Sequence, residues 1–273
     1  MIELNKEQLI SLVSLYDGSV SQELEYAYRE AGPFGEINIK VCADDFPKPN
    51  ILLFINGFTT MGGVGIYGCV DINTYDQEIK ELILGCFNDD NQEVWVHLFS
   101  PDWELKLDRL FNGLITNKHY RIIHRLNRRI FQNHTDWRKK IPSGYTMKRY
   151  DTSSREFIKA RDWQDFWHPQ SDRFGWFLFK DEEAVSECFS VWVEKTGVEK
   201  DCVEISIDTK EPYRRKGFAF LTSIAFIEEC LSRSLIPVWC CWSFREGSKE
   251  LAEKLGFEIV CNRRVIVLNQ NKA

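Results

Sequence analysis

The sequence lacks the features that would suggest a membrane or a nucleic acid as a partner. No apolar run is long enough to cross a bilayer, and no basic segment followed by an apolar one opens the chain. The formal net charge of −6 argues against general nucleic-acid binding, which needs a basic face. We therefore expect a cytoplasmic protein whose partners include neither a nucleic acid nor a membrane.

The cysteines and histidines lack the spacing of a metal site. The nine cysteines, an odd number, include no C-x-x-C pair and no histidine partner at a spacing typical of zinc. Several cysteines lie inside apolar runs, where a free thiol behaves as a small hydrophobic residue. We therefore expect a protein of a reducing compartment that binds no metal.

One glycine-rich stretch has to be weighed as a dinucleotide site. Residues 63–68 contain the pattern G-x-G-x-x-G. That fingerprint needs glycines that open a helix, whereas residues 66–70 are typical of an extended chain. We interpret the stretch as a flexible hairpin.

Residues 203–233 predict a strand, a basic turn and a helix, in that order. Apolar and polar residues alternate over 203–209, which is the period of a half-buried strand. Pro212 then ends any strand pairing, because proline has no N–H donor. From residue 218 to 233 the apolar residues recur at helical spacing.

The turn between this strand and helix has the chemistry of an anion site. The first N–H groups of a helix have no partner within the helix, and the helix dipole places positive charge there. Gly217 would let a phosphate approach the backbone, and Arg214, Arg215 and Lys216 add charge. The alternative is an ordinary solvated basic turn that begins a helix.

The motif R-x-x-G-x-A at residues 214–219, between a strand and a helix, resembles the acyl-coenzyme-A pyrophosphate signature of the GNAT N-acyltransferase superfamily. Residues 237–242 predict the next strand. Residues 248–257, which end in Leu-Gly-Phe, are similar to the last helix of that superfamily, and residues 263–268 predict a final strand. Within the superfamily, the chain looks most like the zwittermicin-A-resistance-like group.

The resemblance implies an α/β (α+β) fold with a mixed central sheet, two strands that splay apart, and flanking helices. We place a domain boundary at the Pro-Ser-Gly stretch, which gives an N-terminal α/β domain (1–143) and a GNAT acetyltransferase domain (144–273). The predicted elements of residues 51–131, ending in a hairpin at 120–131, follow the order of the C-terminal half. The smaller N-terminal domain is either a degenerate copy without the cofactor motif or an unrelated α/β domain.

The function implied by the resemblance is transfer of an acetyl group from acetyl-CoA to the primary amine of a small molecule by direct attack. In the superfamily, the pantetheine arm pairs with the strand before the turn like an added strand. The coenzyme-A-binding residues implied in this way are Ile207, Thr209, Arg214, Arg215, Lys216, Gly217, Phe218, Ala219 and Ser248.

Acyl transfer also requires a neutral amine, so the site needs a base or a water relay. Glu204 is the candidate base because of its position in the strand, and the alternative is a carboxylate that faces solvent or an arginine. Family members that use a tyrosine as the acid carry it where this chain has Ala252, and Arg245 stands where asparagine is frequent. The acid is therefore unassigned.

Two other functions remain open at this point. The missing tyrosine suggests a non-catalytic protein that binds or senses acyl-CoA. A wider acyl channel would instead give an acyltransferase that uses a different acyl thioester.

Overall fold

The structure is a computed structural model, and it describes residues 1–16, 20, 24, 39–55, 63–87, 92–134, 136–151, 153–154, 173–194 and 202–272. These residues form an α/β protein with both parallel and antiparallel strand pairs. None of the helices in this part of the chain is both long enough and apolar enough to cross a membrane.

The strands are short except for three of twelve or thirteen residues: Ile2–Glu3 (β1), Lys40–Ala43 (β2), Ile51–Ile55 (β3), Gly63–Gly68 (β4), Glu93–Leu98 (β5), Ile115–Leu126 (β6), Tyr145–Asp151 (β7), Phe174–Lys180 (β8), Glu183–Glu194 (β9), Cys202–Thr209 (β10), Ile236–Trp242 (β11) and Phe257–Asn269 (β12). The α-helices in the described ranges are Lys6–Val13 (α1), Asp76–Leu84 (α2), Trp103–Leu110 (α3), Arg128–Phe131 (α4), Phe218–Ser232 (α5) and Glu246–Lys254 (α6).

The chain divides into two compact units that are not continuous in sequence. The first contains residues 1–121 and 262–273, and the second contains residues 122–261. The long strands β6 and β12 therefore each contribute residues to both units. The domain boundary predicted at residues 143 and 144 falls inside the second unit.

The first unit is built on a short antiparallel meander. Strands β2, β3 and β4 pair in chain order, and β1 pairs with β2. Helix α2 then connects β4 to β5, which runs parallel to β4. Residues 265–269 of β12 pair antiparallel with β5. All five residues of β3 are buried, as expected for an apolar strand with both faces covered.

The second unit repeats this pattern with longer strands. Strands β7, β8, β9 and β10 pair antiparallel in chain order, and α5 connects β10 to the parallel strand β11. Helix α5 is buried at Ile224, Ala225, Phe226 and Ile227, four consecutive residues, so it is covered on all sides. The common order of antiparallel strands, helix and parallel strand supports the interpretation of the N-terminal part as a second copy.

One sequence-based prediction was wrong. Residues 120–131 are not a hairpin, because β6 continues unbroken to Leu126 and the short helix α4 follows, with Asn127 as its N-cap. The glycine-rich stretch is strand β4, which pairs antiparallel with β3 as one arm of a hairpin whose connecting residues lie outside the described ranges. Its rejection as a helix-opening fingerprint is confirmed. The sequence pattern also predicts helices at residues 22–30 and up to about residue 160, and an aromatic cluster at 163–167. Apart from Leu24 and the residues up to 154 that are described, these segments lie outside the described residues.

Candidate functional site

The central feature of the second unit is a pair of parallel strands that separate. Strands β10 and β11 are in register only from Cys202 opposite Ile236 to Glu204 opposite Val238. Beyond that point, within the described residues, 205–209 and 239–242 have no partner in each other's strand. The β9–β10 register shifts between Glu204 and Ile205, at the same level. The two strands thus form a wedge that opens toward their carboxyl ends.

The basic turn, residues 214–217, follows β10 at the wide end of this wedge. Arg215 and Gly217 both have left-handed backbone angles, with φ of 62° and 80°. Alternation of left-handed and ordinary residues turns successive N–H groups toward a common point, which is the geometry of an anion-binding nest. Helix α5 begins at Phe218, and no side chain caps it in the described structure. Its first N–H groups are therefore available to a ligand.

Gly217 is required here by its backbone angle and not by crowding. A Cβ atom at this residue would meet nothing within 4 Å among the described atoms. A side chain at a φ of 80° is nevertheless strained, because the left-handed region disfavours residues with a Cβ. The open space beside Gly217 leaves room for a phosphate against the backbone.

The two arginines of the turn make only long ion pairs with carboxylates of the protein. Arg214 donates from Nε to the carbonyl of Thr209 at 2.9 Å and lies 3.9 Å from Asp208. Arg215 is 87% exposed and lies 3.9 Å from Glu250. Exposed ion pairs at this distance are weak, so the positive charge remains available to an anion. Arg214 also braces the turn against the end of β10.

The predicted site residues lie along β10, in the basic turn, at the start of α5 and in α6. Glu204 is half-buried at the last position where β10 pairs with β11, and Ile207 lies in the part of β10 that pairs with β9 but not with β11. The hydroxyl of Thr209 is 2.8 Å from that of Ser186, and the carbonyl of Thr209 accepts a hydrogen bond from Arg214. Ser248, in α6, accepts a hydrogen bond from the indole of Trp239 at 3.1 Å.

Ala252, which stands where some family members carry a tyrosine acid, is fully buried in α6. It packs in the same core cluster as Trp239 and Leu255. A methyl group in such a place can neither donate nor accept a proton. The described residues of α6 therefore supply no hydroxyl at that position.

His124 is a buried polar group that the sequence did not point to. It lies in β6, fully buried, with Nδ1 3.1 Å from the carbonyl of Trp239. Burial lowers the pKa of His124, so the neutral ring is favoured, with Nδ1–H as the donor to Trp239. Its Nε2 has no hydrogen-bond partner in the described structure. The contact joins residues 115 positions apart, and no local pattern could reveal it.

The corresponding strands of the first unit do not separate. Strands β4 and β5 are in register from Gly63 to Ile66, and the N–H of Phe99 adds a further bond to Ile66 at 3.0 Å. The described structure therefore has no wedge between these two strands.

The turn after β4 also differs from the basic turn in charge. Buried Lys106 donates from Nζ to the carbonyls of Val70 at 2.9 Å and Ile72 at 2.7 Å. The same ammonium lies 2.6 Å from the carboxylate of Asp76. Carbonyl groups around a lysine are the opposite of N–H groups around an anion. This turn therefore lacks the chemistry of a phosphate site.

Comparison with known proteins identifies relatives over most of the chain. A family model described as GNAT acetyltransferase matches residues 40–265. A protein of Bacillus subtilis (strain 168) named uncharacterized N-acetyltransferase YdfB is 30% identical over 128 residues, which cover 44% of this chain and 47% of that protein. The match thus spans about half the length of that curated relative.

Solved structures with the same fold cover nearly the whole chain. One is a GCN5-related N-acetyltransferase-like protein from Streptococcus suis 89/1591, with a TM-score of 0.65, 17% identity, and 97% of this chain and 99% of that chain covered. Another is a tandem GNAT protein from the clavulanic acid biosynthesis pathway, with a TM-score of 0.65, 9% identity, and 98% and 97% covered. At these identities the likeness shows the fold, and it confirms the predicted fold class.

The lowered pKa of His124 predicts a specific loss of stability in acid. The unfolded chain takes up a proton at an ordinary histidine pKa, about 6.5, before the folded protein does. The contribution of His124 to the free energy of unfolding is therefore fully present above that pH, and it is lost as the pH falls toward the lowered pKa. His124→Asn keeps an N–H donor for Trp239 without the titration.

We expect the free energy of unfolding, from urea titrations between pH 7.5 and 5, to fall less steeply for His124→Asn than for the wild type. His134→Asn, a change at a more exposed histidine, is the control. Parallel pH curves for the wild type and His124→Asn would contradict the assignment.

Proposed function

The chain belongs to the GNAT acetyltransferase family, and from that premise we propose that it is an N-acetyltransferase that transfers an acetyl group from acetyl-CoA to the primary amine of a small molecule. The observation that carries the proposal is the coincidence, in one unit, of the wedge between β10 and β11 with the basic turn at its wide end. Within the family, residues 207–209 and 213–219, followed by residue 239 and residues 251–257, resemble the zwittermicin-A-resistance-like group.

The described residues fit coenzyme A in shape and in charge. On the side of β10 that faces away from β9, the backbone around Ile207 and Thr209 has no partner in β11, and there it could pair with the two amides of a pantetheine arm in the manner of an added strand. The nest of N–H groups from Arg215 to Ala219 would hold the pyrophosphate, with Arg214 and Lys216 supplying charge. The hydroxyl of Ser248 retains its own proton for a further hydrogen bond.

Acetyl-CoA supplies an activated acetyl thioester when it is bound. We propose Glu204, at the narrow end of the wedge, as the base that accepts the proton an ammonium must lose before it can attack. Backbone N–H groups freed where β10 and β11 part are suited to stabilise charge on the thioester oxygen. The departing thiol has a moderate pKa of about 8.5, so departure without the missing tyrosine is chemically acceptable.

The first unit is proposed as a packing copy without a cofactor. Its strands β4 and β5 stay paired. The turn after β4, which corresponds to the basic turn, presents carbonyl groups that accept hydrogen bonds from Lys106. This arrangement supports one coenzyme A site per chain.

The proposal is tested by incubating the full chain with acetyl-CoA and a panel of primary amines while free thiol is measured. Amine-dependent thiol release, with the acetylated amine identified by mass spectrometry, is the expected result. Saturable coenzyme A binding without thiol release for any amine would favour the sensing protein instead. Faster release from a longer acyl thioester would favour the other acyltransferase.

Gly217→Glu is expected to abolish coenzyme A binding while the fold is retained. The new carboxylate enters the open space beside the nest and repels the pyrophosphate, so affinity should fall by about a hundredfold or more. Isothermal calorimetry measures the change, with one site per wild-type chain.

Gly113→Glu is the matched control for this variant. Gly113 has a φ of 88° and equally open surroundings, but it lies in the first unit. Both variants should share the cost of a side chain in the left-handed region, about 1 kcal/mol. Equal coenzyme A affinity in the two variants would remove the basic turn from the site.

Glu204→Gln is expected to lower kcat by about a hundredfold or more, because the general base is lost while the side chain keeps its shape. The remaining rate should rise toward higher pH, where more of the amine is already neutral. Glu182→Gln, a change at an exposed carboxylate between β8 and β9, is the control. A wild-type pH–rate curve for Glu204→Gln would return Glu204 to a structural role.

A further inference from the structure

The side chain of His124 has no role in the reaction proposed so far, yet it is bonded to the backbone where the wedge opens. Glu204 and Val238 are the last residues at which β10 and β11 pair. The next residue of β11 is Trp239, and its carbonyl accepts a hydrogen bond from Nδ1 of His124 at 3.1 Å. His124 belongs to β6 and is fully buried. One wall of the wedge is thus bonded, at its narrow end, to a side chain from a third strand.

Trp239 is also held at a second point, through its side chain. Its indole Nε1 donates a hydrogen bond to Oγ of Ser248 in α6 at 3.1 Å. Its ring lies 5.5 Å from that of Phe257 between centroids, and the residue is 2% exposed. The backbone of Trp239 is therefore bonded to His124 while its side chain is bonded to α6. A buried residue held in both ways has little freedom to move.

The backbone next to Trp239 offers few other bonds that could fix the position of β11. Pro237 has no N–H donor, because its nitrogen is part of the proline ring. Within the described residues, 239–242 have no partner in β10. A strand inside a sheet is normally held by hydrogen bonds on both sides. Because the bonds on the wedge side are missing here, the position of β11 depends on contacts such as the bond from His124.

The second ring nitrogen of His124 indicates that this residue does more than fill space. Nε2 is buried and has no hydrogen-bond partner in the described structure. A buried acceptor without a partner costs free energy, and a leucine at this position would avoid that cost. Residues that break a local rule of stability are expected mainly where a functional site requires them. The bond from Nδ1 to Trp239 is a requirement that a leucine could not meet.

We propose that His124 is a positioning residue that holds β11 apart from β10, through the carbonyl of Trp239, and so keeps the wedge at the width that acyl transfer needs. This inference rests on the proposed function, since the wedge is the proposed place of the pantetheine arm. His124 is fully buried, so it would act through Trp239 and not by contact with the substrate. Its effect would fall on the transfer step at the narrow end of the wedge and not on the basic turn.

His124→Asn and His124→Leu are the matched pair that tests this role. Asparagine and leucine have nearly the same shape, but only asparagine carries an N–H group near the position of Nδ1. For His124→Leu, we expect kcat with acetyl-CoA and the fastest amine of the panel to fall about tenfold, because a small displacement of the reacting groups is costly. The Kd for coenzyme A from calorimetry should stay within about twofold of the wild type, since the basic turn is unchanged. His124→Asn should keep most of the wild-type kcat.

Amide hydrogen exchange, followed by mass spectrometry, tests the bond to Trp239 without any measurement of activity. The peptide that covers residues 239–242 should exchange faster in His124→Leu than in His124→Asn or the wild type. A peptide from α5 should exchange equally in all three proteins. His124→Gln, whose amide lies near the position of Nε2 and not of Nδ1, should behave like His124→Leu, and it replaces that variant if His124→Leu does not fold.

Ile122→Ala is the control for a general loss of stability in β6. Ile122 lies two residues before His124 and packs in the same core cluster as Trp239. This change should lower the Tm because it leaves a cavity, but it should keep the wild-type kcat well below that temperature. An equal loss of kcat in Ile122→Ala and His124→Leu would overturn the proposal. So would equal behaviour of His124→Leu and His124→Asn, or faster exchange in His124→Leu without a loss of kcat.

The two proposals fail in different ways in these experiments. If the wild type releases no thiol from acetyl-CoA with any amine, the proposed function is wrong and the inference falls with it. If the wild type does release thiol, and His124→Leu matches it in kcat and in hydrogen exchange, only the role of His124 is wrong.

Discussion

The site depends on one interrupted interaction, the hydrogen-bonded pairing of β10 with β11. The pairing stops after Glu204 and Val238, although both strands continue for several residues. Backbone N–H and C=O groups that lose a strand partner must find another one or face water. A ligand that carries amide groups can hydrogen-bond to these backbone groups in the way a neighbouring strand would. The wedge therefore creates both the need for a strand-like ligand and the place for it.

The two units show how the same order of elements supports opposite local chemistry. In the first unit, β4 and β5 remain paired and the turn presents carbonyls to the buried ammonium of Lys106. In the second, the strands part and two residues with positive φ direct N–H groups outward. A fold of this kind fixes the place where a strand meets a helix. The residues of that turn, and the pairing beside it, decide whether the place holds an anion.

The positive charge of the basic turn is a local feature of a protein whose net charge is negative. The protein carries a formal net charge of −6, so its overall field does not attract an anionic ligand. In the proposed site, attraction of an anion would depend on Arg214, Arg215 and Lys216 acting at short range together with the backbone of the turn. The weak pairing of Arg215 with Glu250, at 3.9 Å, leaves that residue free to exchange an internal carboxylate for a phosphate.

The sequence by itself determined the strand at 202–209, the basic turn and the helix from Phe218, because alternation, helical spacing and a glycine at positive φ are local properties. It also determined the family resemblance, since the motif and the Leu-Gly-Phe ending are contiguous. It failed at residues 120–131, where Asn127 suggested a hairpin turn, but β6 continues to Leu126 and helix α4 follows. Only the tertiary structure decided where β10 and β11 part, that His124 lies against Trp239, and that β6 and β12 each serve both units. These features depend on strands distant in sequence, whose register is set by long-range packing and hydrogen bonding that no local pattern records.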